Sequence, residues 1–164
     1  MGTARPSAAG RPVLEAVLVT GELEIRPYTI GFGEESPKIG VALMRPTARG
    51  QVSLTAADPW APLRIEHHYD SEPADLAALR AGCELVREIV GGGEELGPPA
   101  WSTSQHLCGT APMGVGEHAV VDPRCRVIGV PGLWVVDGSV LPVIPGRGPH
   151  ATIAMVGHRA AEFF

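Results

Sequence analysis

The chain is 164 residues long, 45% hydrophobic and 19% charged, with a formal net charge of −5. That length suits one compact unit with its own core, and this composition excludes both a disordered and a membrane-spanning class. Lys and Arg are scattered, which excludes a phosphate-tracking nucleic-acid partner. No apolar run approaches the roughly 18 residues of a membrane span.

Residues 1–12 are small, polar and Pro/Gly-containing, and read as a disordered lead-in without an apolar targeting core. From Val13 the texture changes. Val13–Thr20, Leu23–Ile30, Lys38–Arg45 and Gln51–Thr55 are short β-branched and apolar runs punctuated by Gly21, Gly31, Gly33, Pro37 and Gly50, the pattern of antiparallel strands. Val52 and Leu54 alternate with Gln51, Ser53 and Thr55, which predicts a half-buried strand in a sheet with one wet face. Arg64–Tyr69 reads as a further strand, whose alternation sends His67 and His68 to opposite faces and separates them as joint ligands.

Ser71 offers an N-cap and Pro73 a first-turn position. Leu76, Leu79, Cys83, Val86 and Val90 then recur at helical spacing before Gly91-Gly92-Gly93. That stripe predicts a helix laid across the sheet, with Cys83 as a small buried hydrophobe. Beyond a linker at 94–100, residues 101–164 hold a glycine-rich loop, the Asp122-Pro123 turn, a short strand at Leu133–Val136, the Asp137-Gly138-Ser139 turn and a closing helix from about His150. Ile153, Val156, Ala160 and Phe163 share one face of that helix. The fold class is therefore α+β: a sheet-and-helix domain at 13–100, then a C-terminal strand-turn-helix segment at 101–164.

Cys83, Cys108 and Cys125 are odd in number and share no C-x-x-C spacing, so neither a disulfide framework nor a zinc ribbon is indicated and a reducing cytoplasm fits best. A metal set of His106, Cys108, His118 and Cys125 matches no standard spacing. There is no G-x-S-x-G elbow, no G-x-G-x-x-G after a strand and no phosphate-binding G-x-x-x-x-G-K-[ST]. The chain therefore lacks the means to bind a dinucleotide in the Rossmann manner by itself.

His106 and His150 remain as the candidates. His106 stands in Gln105-His106-Leu107-Cys108-Gly109-Thr110, where no periodic pattern claims it for a core, and His150 opens the last helix. The first N–H groups of that helix have no intrahelical acceptor and point outward toward partial negative charge. A strand and a turn separate the two imidazoles, which allows them to meet at one end of that strand.

Met44-Arg45-Pro46-Thr47-Ala48-Arg49-Gly50-Gln51-Val52-Ser53-Leu54, then Ala57-Asp58-Pro59 and Tyr69, resembles the R-P-x-S-R-G-x-V-x-L, D-P and Y blocks of glucose-methanol-choline (GMC) oxidoreductases. The blocks His106-Leu107-Cys108-Gly109-Thr110-Ala111-Pro112-Met113-Gly114, Val121-Asp122-Pro123, Val127-Ile128-Gly129-Val130-Pro131-Gly132-Leu133 and Val136-Asp137-Gly138-Ser139 follow in that family's order. Gly146 to Thr152 resembles the mycofactocin-associated branch.

The resemblance implies a C-terminal part of an FAD-dependent enzyme acting on the CH–OH group of a small-molecule alcohol. His106 is then the implied general base, a role suited to an imidazole because it titrates near neutral pH. His150 is implied as the second group on the same oxygen, although a shift in register places Gly148 or Pro149 there in some relatives. Asp137, Gly138, Ala151 and Thr152 are the implied flavin contacts, and FAD would be held mostly by a flavin domain missing from this chain, supplied in cis or trans. The competing reading is a truncated, non-catalytic remnant or binding module without FAD.

Overall fold

A computed structural model of the chain describes residues 5–6, 12–13, 17–28, 38–91 and 96–163. It divides into two compact units, residues 1–44 with 72–101, and residues 45–71 with 102–164. The sequence-based boundary at 100/101 falls at the edge of the first unit. Arg45–Ser71, however, groups with the C-terminal segment.

In the first unit, β1 (Arg5–Pro6) pairs antiparallel with β2 (Pro12–Val13). Most of the lead-in, residues 14–16 and the Gly31–Pro37 connection lie outside the described residues. β3 (Leu18–Thr20), β4 (Leu23–Tyr28) and β5 (Lys38–Leu43) form a three-stranded antiparallel sheet, with Leu23 opposite Leu43 and Ile25 opposite Val41. Gly21, at φ +55°, turns the chain between β3 and β4, a conformation that glycine adopts without the steric penalty of a Cβ.

Helix α1 (Pro73–Ile89) packs on β4 and β5, as its stripe predicts. Leu76, Leu79 and Cys83 are half-buried and Val86 is buried, while Val90 has run past the edge and is exposed. The N-cap is Glu72 in place of Ser71, with no side-chain cap and Pro73 opening the helix. It lies close against the sheet at Gly82, where an added Cβ would stand 2.5 Å from Val41 Cγ1 and 3.1 Å from Leu23 Cδ1. Only hydrogen fits there, so this glycine sets the helix-to-sheet spacing.

In the second unit, β6 (Gln51–Ser53) pairs antiparallel, among the described residues, with β7 (Arg64–Glu66) alone, with Val52 opposite Ile65. This corrects the expectation of one sheet running through Thr55. The alternation is present, with Gln51 Nε2 donating to Glu66 Oε2 at 2.6 Å, but the apolar pair Val52 and Ile65 is exposed, as is Leu54 at 78%. β7 stops at Glu66 because His68 turns to φ +53°, its Nδ1 3.1 Å from the Arg49 carbonyl oxygen, while His67 stacks on Tyr69.

Leu133–Val136 is no strand. It makes a single antiparallel bridge, Arg126 to Trp134, because the turns at Gly129 and Gly132, both at positive φ, leave too little extended chain on either side. The Asp137 turn becomes a short 3₁₀ helix, Gly138–Val140, and the closing helix is α2 (His150–Ala160) with a 3₁₀ turn to Phe163. On α2 the expected stripe faces inward: Ala160 is buried, and Ile153, Val156 and Phe163 are half-buried. Fully buried Val121, Val140 and Cys125 complete the centre of this unit.

Candidate functional site

The loop that carries His106 is tied down just after the histidine. Ala111 N–H donates to the Ser139 carbonyl at 3.0 Å and Met113 N–H to the Val140 carbonyl at 2.9 Å, so the loop runs beside the Gly138–Val140 turn. Gly109 makes that proximity possible. It sits at φ +88°, and a Cβ there would stand 3.3 Å from the Leu141 carbonyl oxygen, so any other residue brings both backbone strain and a crowded carbonyl.

The turn is in turn fixed to α2. A Cβ on Gly138 would stand 2.9 Å from Ile153 Cδ1 and 3.8 Å from Cys108 Sγ. Asp137 caps its own turn, Oδ1 accepting from Ser139 N–H at 2.7 Å, so one carboxylate oxygen is already committed to structure. Burial pushes the Cys108 thiol pKa up. The thiol therefore stays protonated and donates to the His106 carbonyl at 3.4 Å, steadying the residue from behind.

His106 itself is half-buried. Its Nδ1 is buried with no hydrogen-bond partner. The Cε1–Nε2 edge faces the loop before α2: a Cβ on Gly148 would stand 3.5 Å from Cε1 and 3.8 Å from Nε2. Gly148, which the shifted register picks out in the sequence, is thus the residue brought against the imidazole. His150 lies two residues on, exposed, as the first residue of α2, followed by exposed Ala151 and half-buried Thr152. Behind this loop the Arg45 guanidinium covers Gly146, whose Cβ position is 3.3 Å from Nη2. That contact joins Arg45–Ser71 to the C-terminal segment, and a glycine packed under a side chain carries no sequence pattern by which to find it.

A second feature missed by motif reading is the network on Asp122. Its Oδ1 accepts from Arg124 N–H at 2.8 Å and Arg126 N–H at 3.1 Å, and its Oδ2 accepts from Arg126 Nε at 2.8 Å. The Arg126 guanidinium, with the two backbone N–H groups, holds the Asp122 carboxyl below the usual carboxylate range. A depressed folded pKa means the stabilisation is complete above the unfolded value of about 4 and lost as pH falls through the folded value. Asp122→Asn is therefore expected to lower the thermal midpoint at pH 7 and to converge on the parent as the pH drops below about 4. A difference that stays constant from neutral pH into acid would show that the carboxylate charge does not matter.

A glycine-fitted histidine loop, a capped turn and the start of α2 lie together in one small unit. The GMC oxidoreductase family model matches residues 46–157, and the chain belongs to that family. It is 40% identical over 182 aligned positions to an uncharacterized GMC-type oxidoreductase in the thcA 5' region of Rhodococcus erythropolis, covering 97% of this chain and 37% of that protein. It is 36% identical over 146 positions to an oxygen-dependent choline dehydrogenase of Brucella ovis, covering 74% of this chain and 27% of that protein.

Among solved structures it is similar to pyridoxine 4-oxidase of Mesorbium loti, with TM-score 0.73 and 20% identity over 98% of this chain and 36% of that one. It is also similar to a fungal aryl-alcohol oxidase, with TM-score 0.66 and 28% identity over 86% of this chain and 27% of that one. The chain thus spans about a quarter to two-fifths of the length of these relatives. The likeness to these solved structures bears out the α+β fold class, and a further similar structure is that of an FAD-dependent oxidoreductase from Chaetomium thermophilum, with TM-score 0.69 and 22% identity over 87% of this chain and 28% of that one. Among the described residues no helix is long and apolar enough to cross a membrane.

Proposed function

We propose that the chain is the C-terminal part of a flavin-dependent oxidoreductase acting on the CH–OH group of a small-molecule alcohol, with His106 as the general base. The observation that carries this is the placement of His106, whose Nδ1 is buried without a partner and whose Cε1–Nε2 edge faces Gly148 in the loop before α2. With Nδ1 buried in a half-buried ring, Nε2 is the nitrogen turned toward the loop before α2, which supports Nε2 as the one that meets the substrate. FAD, when bound, supplies the acceptor for the hydride from the carbinol carbon.

The chain's own residues deal with the other proton. His106 takes the hydroxyl proton at Nε2, and His150, at the start of α2, orients the same oxygen. Asp137, Gly138 and the N–H groups of Ala151 and Thr152 would contact the flavin when it is bound, where a helix N-terminus favours negative charge. The reading is supported by family membership, by the choline dehydrogenase and aryl-alcohol oxidase named among its relatives, and by the gathering of these elements in one unit. On Gly146 to Thr152, the mycofactocin-associated branch is the proposed place of the chain within the family.

We assign the bulk of FAD binding to a further domain, in cis or trans. Leu54, Trp60, Leu63, Ile65 and Val115 are all more than half exposed. The purified chain is accordingly expected to be colourless after gel filtration, and a stoichiometric yellow flavin band would place FAD binding within these residues instead. The function is tested by joining the chain to the remaining portion of the R. erythropolis relative and adding alcohols without air. Bleaching of the flavin band supports the proposal, and a yellow protein that no alcohol bleaches contradicts it.

A further inference from the structure

We propose that Gly148 determines the substrate class at this site, leaving room along the Cε1–Nε2 edge of His106 for a substituent on the carbinol carbon, so that the site takes alcohols branched at or beside the carbon bearing the hydroxyl. The inference rests on His106 being the base, as proposed above.

The argument is one of shared volume. A hydroxyl that gives its proton to Nε2 must lie within about 3 Å of it, and the carbinol carbon is one bond further out. Groups on that carbon therefore fall in the shell where a side chain at position 148 would begin, 3.8 Å from Nε2 and 3.5 Å from Cε1. A side chain there and a second substituent on the substrate compete for one space. Glycine resolves the competition in favour of the substrate. The glycine is not demanded by the backbone, because Gly148 is absent from the glycines at positive φ, and the distances to His106 are those of ordinary van der Waals contact.

Two measurements on Gly148→Val, with Gly148→Ser as a second variant should valine disturb folding, test the proposal. The first uses the chain alone and needs no flavin: diethylpyrocarbonate labels unprotonated imidazole nitrogens, and peptide mass analysis reports each histidine separately. His106 is expected to label severalfold more slowly in the variants, while exposed His118 and His158 keep their rates. An unchanged His106 rate would show that position 148 does not cover the reactive edge and would overturn the inference whatever the enzyme does.

The second uses the flavin-loaded enzyme and compares kcat/KM for a branched alcohol and its unbranched isomer. The ratio is expected to fall by about 10-fold or more, the scale on which a pocket rejects added bulk. An equal loss for both alcohols would remove Gly148 as a specificity determinant while leaving His106 as base. Full turnover in His106→Ala would instead sink the reading beneath it.

Discussion

Replacing His106 by alanine in the flavin-loaded enzyme is expected to lower kcat and kcat/KM together, by about 10²- to 10⁴-fold, the range a placed general base contributes. The two constants should fall in parallel because the proton moves in the transition state and the imidazole is not needed to hold the ground state. Flavin content should be unchanged, since the flavin contacts are assigned to Asp137, Gly138 and the start of α2. Anaerobic stopped-flow reduction, followed at the flavin band, separates the outcomes. A slow reduction with full flavin occupancy supports the base assignment, whereas an unaltered rate removes His106 from the chemistry.

Val121→Asp should have the largest effect on folding. Val121 is fully buried and bridges to both Met113 and Val127, its carbonyl accepting from Gly114 N–H at 3.0 Å. A carboxylate there would be desolvated, unpaired and next in sequence to the charged Asp122, at an expected loss of more than about 3 kcal/mol. Val121→Ala, which removes only methyl groups, should cost about 2 kcal/mol. Urea unfolding followed by circular dichroism measures both. An aspartate variant within about 0.5 kcal/mol of the parent, as for a surface change, would mean that this residue is not at the centre of the unit. Because Met113 N–H also bonds the Val140 carbonyl, partial loosening at Val121 should reach the loop carrying His106.

What was legible in the sequence follows the range of the forces involved. β4, β5 and α1 were readable because their periodicities are local, and Leu76, Leu79, Cys83 and Val86 announce the covered face without knowledge of what covers it. The partner of β6 was not, since pairing with β7 depends on a distant register that Val52 and Leu54 do not encode. The burial expected of those two residues is not met either, both being exposed. At the site, motif order singled out His106 and Asp137, residues whose chemistry is written in their side chains. The fit of Gly138 against Ile153 and of Gly146 under Arg45 is written in the lack of a side chain, which shows only once the backbone is in place. The Asp122 network was hidden for a related reason: Asp122-Pro123 marks a turn, but the reach of Arg126 back across it is a tertiary outcome.

The central claim is that His106 and His150 act on one alcohol oxygen beside the flavin, and a crystal structure of the flavin-loaded enzyme with a bound alcohol analogue tests it most directly. The account predicts a His106 nitrogen within about 3 Å of the analogue's oxygen and the nearest nitrogens of the two imidazoles about 4–7 Å apart, both rings opening on the same cleft. Rings more than about 12 Å apart, or an analogue whose oxygen is bonded by neither, lie beyond any shared hydrogen bond and would contradict it.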